Sequence, residues 1–144
     1  MIGEQAPEFQ DIAGWINSKS LTLAELRGRV VFLDFWTFGC INCINTRPHF
    51  RSFYQHFAVN ASFAMIGMHT PEFPYERNPE NVRRAVLGHD LRYPIGLDSN
   101  NTTWKLYGNH YCPARLSSTA KARSAMNMWK RAITKRWKGR FQRF

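Results

Sequence analysis

The chain has 144 residues, 44% of them hydrophobic and 15% aromatic, which suffices for one domain with a modest core. The formal net charge of +10 comes entirely from the C-terminal end, because residues 1–112 hold ten basic and ten acidic residues while residues 113–144 hold ten basic and no acidic ones. The sequence does not indicate a membrane-spanning protein, because no apolar run reaches about 18 residues, the length of a membrane span. It does not indicate a disulfide-stabilised protein either, because three cysteines are too few for a disulfide framework.

The first predicted elements lead up to a pair of cysteines. An extended, proline-marked segment at residues 3–9 precedes a short helical turn at residues 21–28, which Thr22 caps and a glycine ends. Residues 29–35 are mostly apolar and rich in β-branched and aromatic residues, which predicts a buried strand. A helix is expected from Ile41 to about Phe57, with a kink at its internal proline.

Further strands and helices are predicted to alternate in the second half of the chain. Residues 62–68 read as a second buried strand, and Asn78-Pro79 starts a helix that ends at Gly88. A third short strand is expected at residues 93–97 and a short helix at residues 101–107. Strands that alternate with helices in this way predict an α/β fold with a mainly parallel central sheet flanked by helices.

Cys40 and Cys43 form a C-x-x-C pair directly after the first buried strand. At the start of a helix, Cys40 would face unpaired backbone N–H groups and the positive end of the helix dipole, and both favour its reactive thiolate. Cys43, one turn later, could attack a mixed disulfide on Cys40. Asp34 lies within the apolar strand, where a carboxylate is costly unless it has a task such as relaying the proton of Cys43, or is simply a hydrogen-bonded buried acid.

Three segments carry a resemblance to a known family. Asp34-Phe35-Trp36 followed by the C-x-x-C pair resembles the active-site strand and helix of thioredoxin-like proteins. The fuller run from Trp36 to Pro48, the run from Gly67 to Arg77 and Trp104-x-x-Tyr107-Gly108-Asn109 resemble a narrower branch, the redoxin domains of the DipZ and TlpA type. The resemblance covers residues 3–113.

That resemblance implies a thioredoxin-like fold and a role for each matching residue. Cys40 would be the nucleophile, Cys43 the resolving thiol and Asp34 the buried acid. Trp36 would form part of the active-site rim, and Pro113 would be a cis proline facing the dithiol. A cis proline there would expose the preceding backbone for pairing with an extended substrate.

Three other interpretations compete with a dithiol site. A zinc site is not expected, because no second C-x-x-C exists and the spacing of His49 and His56 does not suit a closed tetrahedral site. Thr37-x-x-Cys40 is similar to the T-x-x-C of peroxiredoxins, although Leu33 stands where their proline is expected, so a thiol peroxidase is an alternative function. His69 and Glu72 could be catalytic, but a His-Thr-Pro run after a strand more often forms a structural corner.

Residues 114–144 do not match the end of a thioredoxin-like domain, which the family completes with a β-hairpin and a final helix. Read directly, Ala125, Trp129, Ile133 and Trp137 recur at helical spacing among basic residues. This pattern predicts a basic amphipathic helix, and residues 121–140 could then bind nucleic acid or an anionic membrane, which is the non-catalytic alternative. Read in the shifted codon frame, residues 116–138 permit a hairpin with a D-x-x-G turn and an acidic helix start. We therefore interpret residues 1–113 as an incomplete domain and residues 114–144 as a non-native tail that is out of frame because of a frameshift at Cys112. The nucleotide sequence can test this interpretation.

The sequence thus predicts a thiol–disulfide oxidoreductase that acts on disulfide-bearing protein substrates and a thiol or dithiol electron donor. We expect no bound cofactor, no metal, no specific nucleic acid, no membrane span and a monomer. Acidic residues and no leading basic cluster occur in the first twenty positions, which is unlike a signal peptide. The expected location is cytoplasmic, whereas relatives of this branch usually work in the periplasm or tethered to a membrane.

Overall fold

A five-stranded sheet forms the centre of the chain in a computed structural model that describes residues 7–26, 29–57, 61, 63–109 and 114–117. The strands are β1 (Trp15–Ile16), β2 (Val30–Trp36), β3 (Phe63–His69), β4 (Ile95–Leu97) and β5 (Ala114–Ser117). Their spatial order is β1-β4-β3-β2-β5. The three central strands are parallel, and β1 and β5 pair antiparallel at the two edges.

The helices are α1 (Ile41–Phe57), α2 (Pro79–Gly88) and α3 (Thr102–Leu106), with short 3₁₀ turns at Ala24–Leu26 and Pro74–Arg77. Asn78 caps α2 by accepting the Glu80 N–H at 2.9 Å. The prediction of a kink in α1 is not tested, although the helix continues through Pro48. Within the described ranges, no helix has the length and apolar character needed to cross a membrane.

Alternation along β2 divides the core between the two faces of the sheet, because successive strand side chains point to opposite sides. Phe32 and Trp36 pack on the face that also holds Cys43, Phe50 and Phe53 of α1. Val31, Leu33 and Phe35 pack on the other face, against a cluster that includes Ile66 and Met68 of β3. Asp34 therefore lies on the α1 side of the sheet, between Phe32 and Trp36 in the strand.

The predicted elements agree with the structure to within a few residues at their ends. The thioredoxin-like α/β fold with a mainly parallel sheet is confirmed. The Thr22 cap is confirmed as well, since its hydroxyl accepts the Glu25 N–H at 3.2 Å. The edge strand β1 was not predicted, because two residues are too few to show a periodic pattern.

Strand β5 corrects one expectation about the tail. We expected no strand after residue 113, yet Ala114–Ser117 pairs antiparallel with β2, from Phe35↔Ala114 to Phe32↔Ser117. Residues 114–117 do alternate between apolar and polar types, but over only four positions. Strand pairing uses backbone groups, so an unoccupied sheet edge can pair with a segment this short. The predicted boundary after residue 113 therefore falls inside the sheet. The rest of the predicted out-of-frame tail and its basic helix lie outside the described residues.

Candidate active site

The candidate site lies where the three parallel strands end at one edge of the sheet. Trp36, His69 and Leu97 are neighbours there, since Trp36 pairs with His69 and His69 pairs with Leu97. The turn of residues 37–40 leaves β2 at this edge and enters α1. In α/β sheets, the carboxyl ends of parallel strands are where functional groups from separate segments converge.

Cys40 is the residue directly before α1, and its carbonyl accepts the first helical hydrogen bond from the Ile44 N–H at 2.9 Å. Its side chain is half-buried. The first backbone N–H groups of a helix have no acceptor within the helix and carry its positive dipole. A thiolate at this position is therefore stabilised, which agrees with the expected environment of a nucleophilic cysteine.

Cys43 lies one helical turn further on and is buried, with 2% of its surface exposed. It packs in the cluster between α1 and the sheet, the same side of the sheet on which Asp34 lies. Asp34 is 4% exposed. The structure therefore places Asp34, the predicted buried acid, and Cys43, the predicted resolving thiol, at the interface between α1 and the sheet. The half-buried Cys40 lies at the edge of this interface. Their chemical roles stay predictions.

Glu76 is a buried carboxylate that ties the turn before Cys40 to the segment after β3. It has no exposed surface, and it accepts hydrogen bonds from the Thr37 hydroxyl and, at 3.0 Å, from the Gly39 N–H. Its second oxygen accepts the backbone N–H groups of Glu72 and Phe73 at 3.2 and 2.9 Å. Four donors offset the cost of burying the charge.

His69 supports the same turn from beneath. It is 2% exposed, and its Nε2 accepts the Phe38 N–H at 3.3 Å, so the ring proton belongs on Nδ1. Burial, assisted by the positive charge of Arg47, lowers the pKa of His69 to about 3. The ring is therefore neutral at physiological pH and acts as an acceptor for the turn.

Arg47 donates hydrogen bonds to two backbone carbonyl groups of the turn. Its Nη2 donates to the Thr37 carbonyl at 3.3 Å and to the Phe38 carbonyl at 2.8 Å. The guanidinium lies 5.0 Å from the centre of the Trp36 ring, within cation–π range. Burial lowers the pKa of Arg47, and the negative forms of Cys43, Tyr93, Asp34 and Cys40 oppose that shift.

Of the residues singled out in the sequence, Trp36 differs from expectation and two others lie outside the described residues. Trp36 is only 2% exposed, so its ring forms the floor beneath the turn, which corrects the expected position on the rim. Burial follows from its place on the α1 face of β2, where Arg47 and His69 cover it. Pro113 and Cys112 lie outside the described residues.

Two residues that contact the turn, Glu76 and Arg47, were not anticipated from the sequence. The His-Thr-Pro corner is structural as expected, with Glu72 exposed. Sequence reasoning assigned no role to Glu76 or Arg47. The position of Arg47, four residues after Cys43 on the buried face of α1, was the available signal for the arginine. Nothing in the local sequence distinguishes Glu76 from its exposed neighbours.

Metal binding has no support in the described ranges, where no group of three or more His, Cys, Asp or Glu side chains is placed to hold an ion.

This combination of fold and cysteine placement defines a thioredoxin-like redoxin. The solved structure of the thioredoxin-like superfamily protein SPOA0173 is similar, with a TM-score of 0.71 and 26% identity over 78% of this chain and 77% of that one. The sequence profile of the AhpC/TSA family matches residues 2–126. The chain belongs to the AhpC/TSA family.

The curated relatives include oxidoreductases and much longer proteins. Protein DipZ of Mycobacterium tuberculosis is 43% identical over 112 residues, which are 76% of this chain but only 16% of DipZ. The thiol-disulfide oxidoreductase YkuV of Bacillus subtilis is 24% identical over 75% of this chain and 72% of its own length. These relatives support the predicted enzyme class, thiol–disulfide oxidoreductase, and favour neither alternative.

Proposed function

We propose that the chain exchanges disulfides with protein or small-thiol partners through Cys40 and Cys43. One observation carries the proposal. A half-buried cysteine stands at the start of the 17-residue helix α1, and a second, buried cysteine follows one turn later. This arrangement supplies an accessible nucleophile and a nearby resolving thiol.

The first step is attack by the Cys40 thiolate on a substrate disulfide. A new bond forms between the Cys40 Sγ and one substrate sulfur while the substrate disulfide breaks. The other substrate sulfur leaves as a thiolate and takes up a proton. The positive end of α1 stabilises the attacking anion before the substrate arrives.

The second step closes the internal disulfide. Cys43 loses its proton, which Asp34 would accept, and its thiolate attacks the Cys40 Sγ. The bond to the substrate breaks as the Cys40–Cys43 bond forms, so the substrate gains two electrons and the dithiol loses two. A thiol or dithiol donor would restore the pair by the same exchange in reverse.

The turn of residues 37–40 fixes the geometry of both steps. Glu76, His69 and Arg47 bind it from three directions, through its hydroxyl, its N–H groups and its carbonyls. These contacts leave the turn little freedom to move away from the helix start. We infer that the turn is prearranged for attack, because nearly all of its partners are themselves buried.

Reduction of insulin by a thiol donor tests the proposal. We expect the chain to accelerate insulin precipitation and Cys40→Ser to abolish the acceleration. Cys112→Ser is the matched control, since it removes a thiol outside the pair and should retain activity. Equal activity in Cys40→Ser and the parent chain would refute the proposal. Consumption of hydrogen peroxide without insulin reduction would favour a peroxidase, and binding to nucleic acid or anionic vesicles that survives Cys40→Ser would favour a non-catalytic module.

A further inference from the structure

Arg47 is a buried cation whose hydrogen-bonding capacity is only partly used. Its side chain is 5% exposed, and Nη2 makes both of its hydrogen bonds. Nε and Nη1 are buried without a hydrogen-bond partner among the described residues. Burying a guanidinium with two donor nitrogens that make no hydrogen bond costs free energy, unless a nearby negative charge offsets that cost during function.

The position of Arg47 on α1 points to the charge that it meets. Cys43 and Arg47 are four residues apart, which places them on the same helix face with side chains one turn from each other. Both are buried on the side of α1 that faces the sheet. Of the negative groups that act on Arg47, the Cys43 thiolate has the largest effect.

We propose that Arg47 is a positioning residue that serves as the counter-ion of the Cys43 thiolate, so that Cys43 can ionise while buried and resolve the mixed disulfide on Cys40. The inference rests on the proposed function, because it concerns the second step of the exchange. Burial disfavours a thiolate, and the Nε and Nη1 donors would offset part of that cost.

Other titratable groups surround the pair and define the controls. Asp34 faces it from β2, His69 from β3, Tyr93 from the segment before β4, His89 from the end of α2, and Cys40 from the start of α1. His69 is neutral at the pH of the experiment, and Cys40 carries no charge while it is bound in the mixed disulfide. Among the described residues, Asp34 is therefore the carboxylate that competes with Cys43 for Arg47 during the second step, and it can be removed independently.

Reaction with dithiobis-nitrobenzoate, an aromatic disulfide that releases a coloured thiolate, separates the two steps. In a Cys112→Ser background, attack by Cys40 releases the first equivalent of thiolate and leaves an aromatic mixed disulfide. Attack by Cys43 on the Cys40 sulfur then releases the second equivalent and forms the Cys40–Cys43 bond. The rate of the second release reports the ionised fraction of Cys43.

We expect Arg47→Met to slow the second release about tenfold or more at neutral pH, because each unit of raised thiol pKa reduces the thiolate about tenfold. The rate should recover as the pH rises. Arg47→Lys keeps the charge and should recover part of the rate at neutral pH. Arg51→Met, the same change one turn later on α1, should leave both releases unchanged.

An Asp34→Asn background separates the two candidate anions. Slowing by Arg47→Met that persists in this background supports the direct effect on Cys43, and slowing that disappears would overturn it. An unchanged second release in Arg47→Met, or a slowing that is the same at every pH, would also overturn the proposal. Circular dichroism confirms that each variant is folded. Failure of the parent chain to release a second equivalent would contradict the proposed function itself.

Discussion

At the residue scale, His69 links the pH of the medium to the stability of the site. Its ordinary pKa of 6.5 applies to the unfolded chain, and burial with the nearby charge of Arg47 lowers the folded value to about 3. Between these values the unfolded chain binds the additional proton. Stability therefore rises with pH across this window and is lost as the pH falls below 6.5.

His69→Gln tests this linkage, because the amide oxygen can still accept the Phe38 N–H but the side chain does not titrate. From pH 7 to pH 5 the parent chain should lose about 2 kcal/mol more unfolding free energy than the variant. Urea unfolding at both pH values measures the difference. Asp98, whose pKa is raised by burial, contributes equally to both proteins. Equal losses in parent and variant would show that His69 is not buried in its neutral form.

Gly67 provides a second test at this scale, since a Cβ there would lie 2.8 Å from Tyr93 Cε2 and 3.0 Å from Trp36 Nε1. Both rings are buried and cannot move aside freely. Gly67→Ala should therefore lower the unfolding free energy by about 1–3 kcal/mol. Gly88→Ala is the matched control, because nothing lies within 4 Å of its Cβ position. Unfolding of the two variants at the same urea concentration would contradict tight packing around Gly67.

At the element scale, the segment after β3 acts as a brace for the turn before α1. Glu76 lies in the 3₁₀ turn Pro74–Arg77 and joins that turn to Thr37 and Gly39 across 37–39 positions of sequence. The Glu76 side chain has no exposed surface, and hydrogen bonds to a carboxylate are stronger than those between neutral groups.

Glu76→Gln should lower the unfolding free energy by about 2–4 kcal/mol, because the amide offers one acceptor oxygen to four donors and leaves some of them unpaired. It should also slow the reaction of Cys40 with disulfides. Glu80→Gln is the matched control. Its carboxylate is 66% exposed in an ion pair with Arg83, so we expect a change below about 1 kcal/mol. Comparable losses of unfolding free energy in the two variants would contradict the proposed role of Glu76 in stabilising the turn.

The elements with a periodic pattern were predictable, and the contacts between them were not. Strand β2 and helix α1 were recovered from runs of apolar residues, and the C-x-x-C pair marked their junction. Arg47 and Glu76 escaped prediction because their function depends on which loops the fold brings beside them. Trp36 was misplaced on the rim for the same reason, since the alternation of β2 alone does not reveal what covers a side chain.

At the scale of the whole molecule, β5 extends the sheet beyond the boundary predicted at residue 113. It pairs with β2, the strand that carries Asp34 and leads into the turn before Cys40. The strand was missed because an apolar-polar alternation over only four residues is a weak local signal, whereas the open edge of β2 can bind almost any extended backbone. The fold class could be predicted from the alternation of elements, but the edges of the sheet could not.

Two shortened chains test the contribution of β5. A chain ending at residue 113 lacks the strand and a chain ending at residue 117 retains it, while both lack residues 118–144. We expect the shorter chain to be less stable by about 1–3 kcal/mol, because its β2 loses several backbone hydrogen bonds to β5. Urea unfolding compares the two. Equal midpoints would mean that β5 adds nothing to the sheet.

The central claim is that the start of α1 holds Cys40 as an activated thiolate. The direct measurement is the pH dependence of iodoacetamide alkylation in a chain that carries Cys43→Ser and Cys112→Ser, so that Cys40 is the one remaining thiol. We expect the alkylation rate of Cys40 to titrate with a midpoint at least about one pH unit below the value of about 8.5 for free cysteine. A midpoint at or above the free-cysteine value would contradict it.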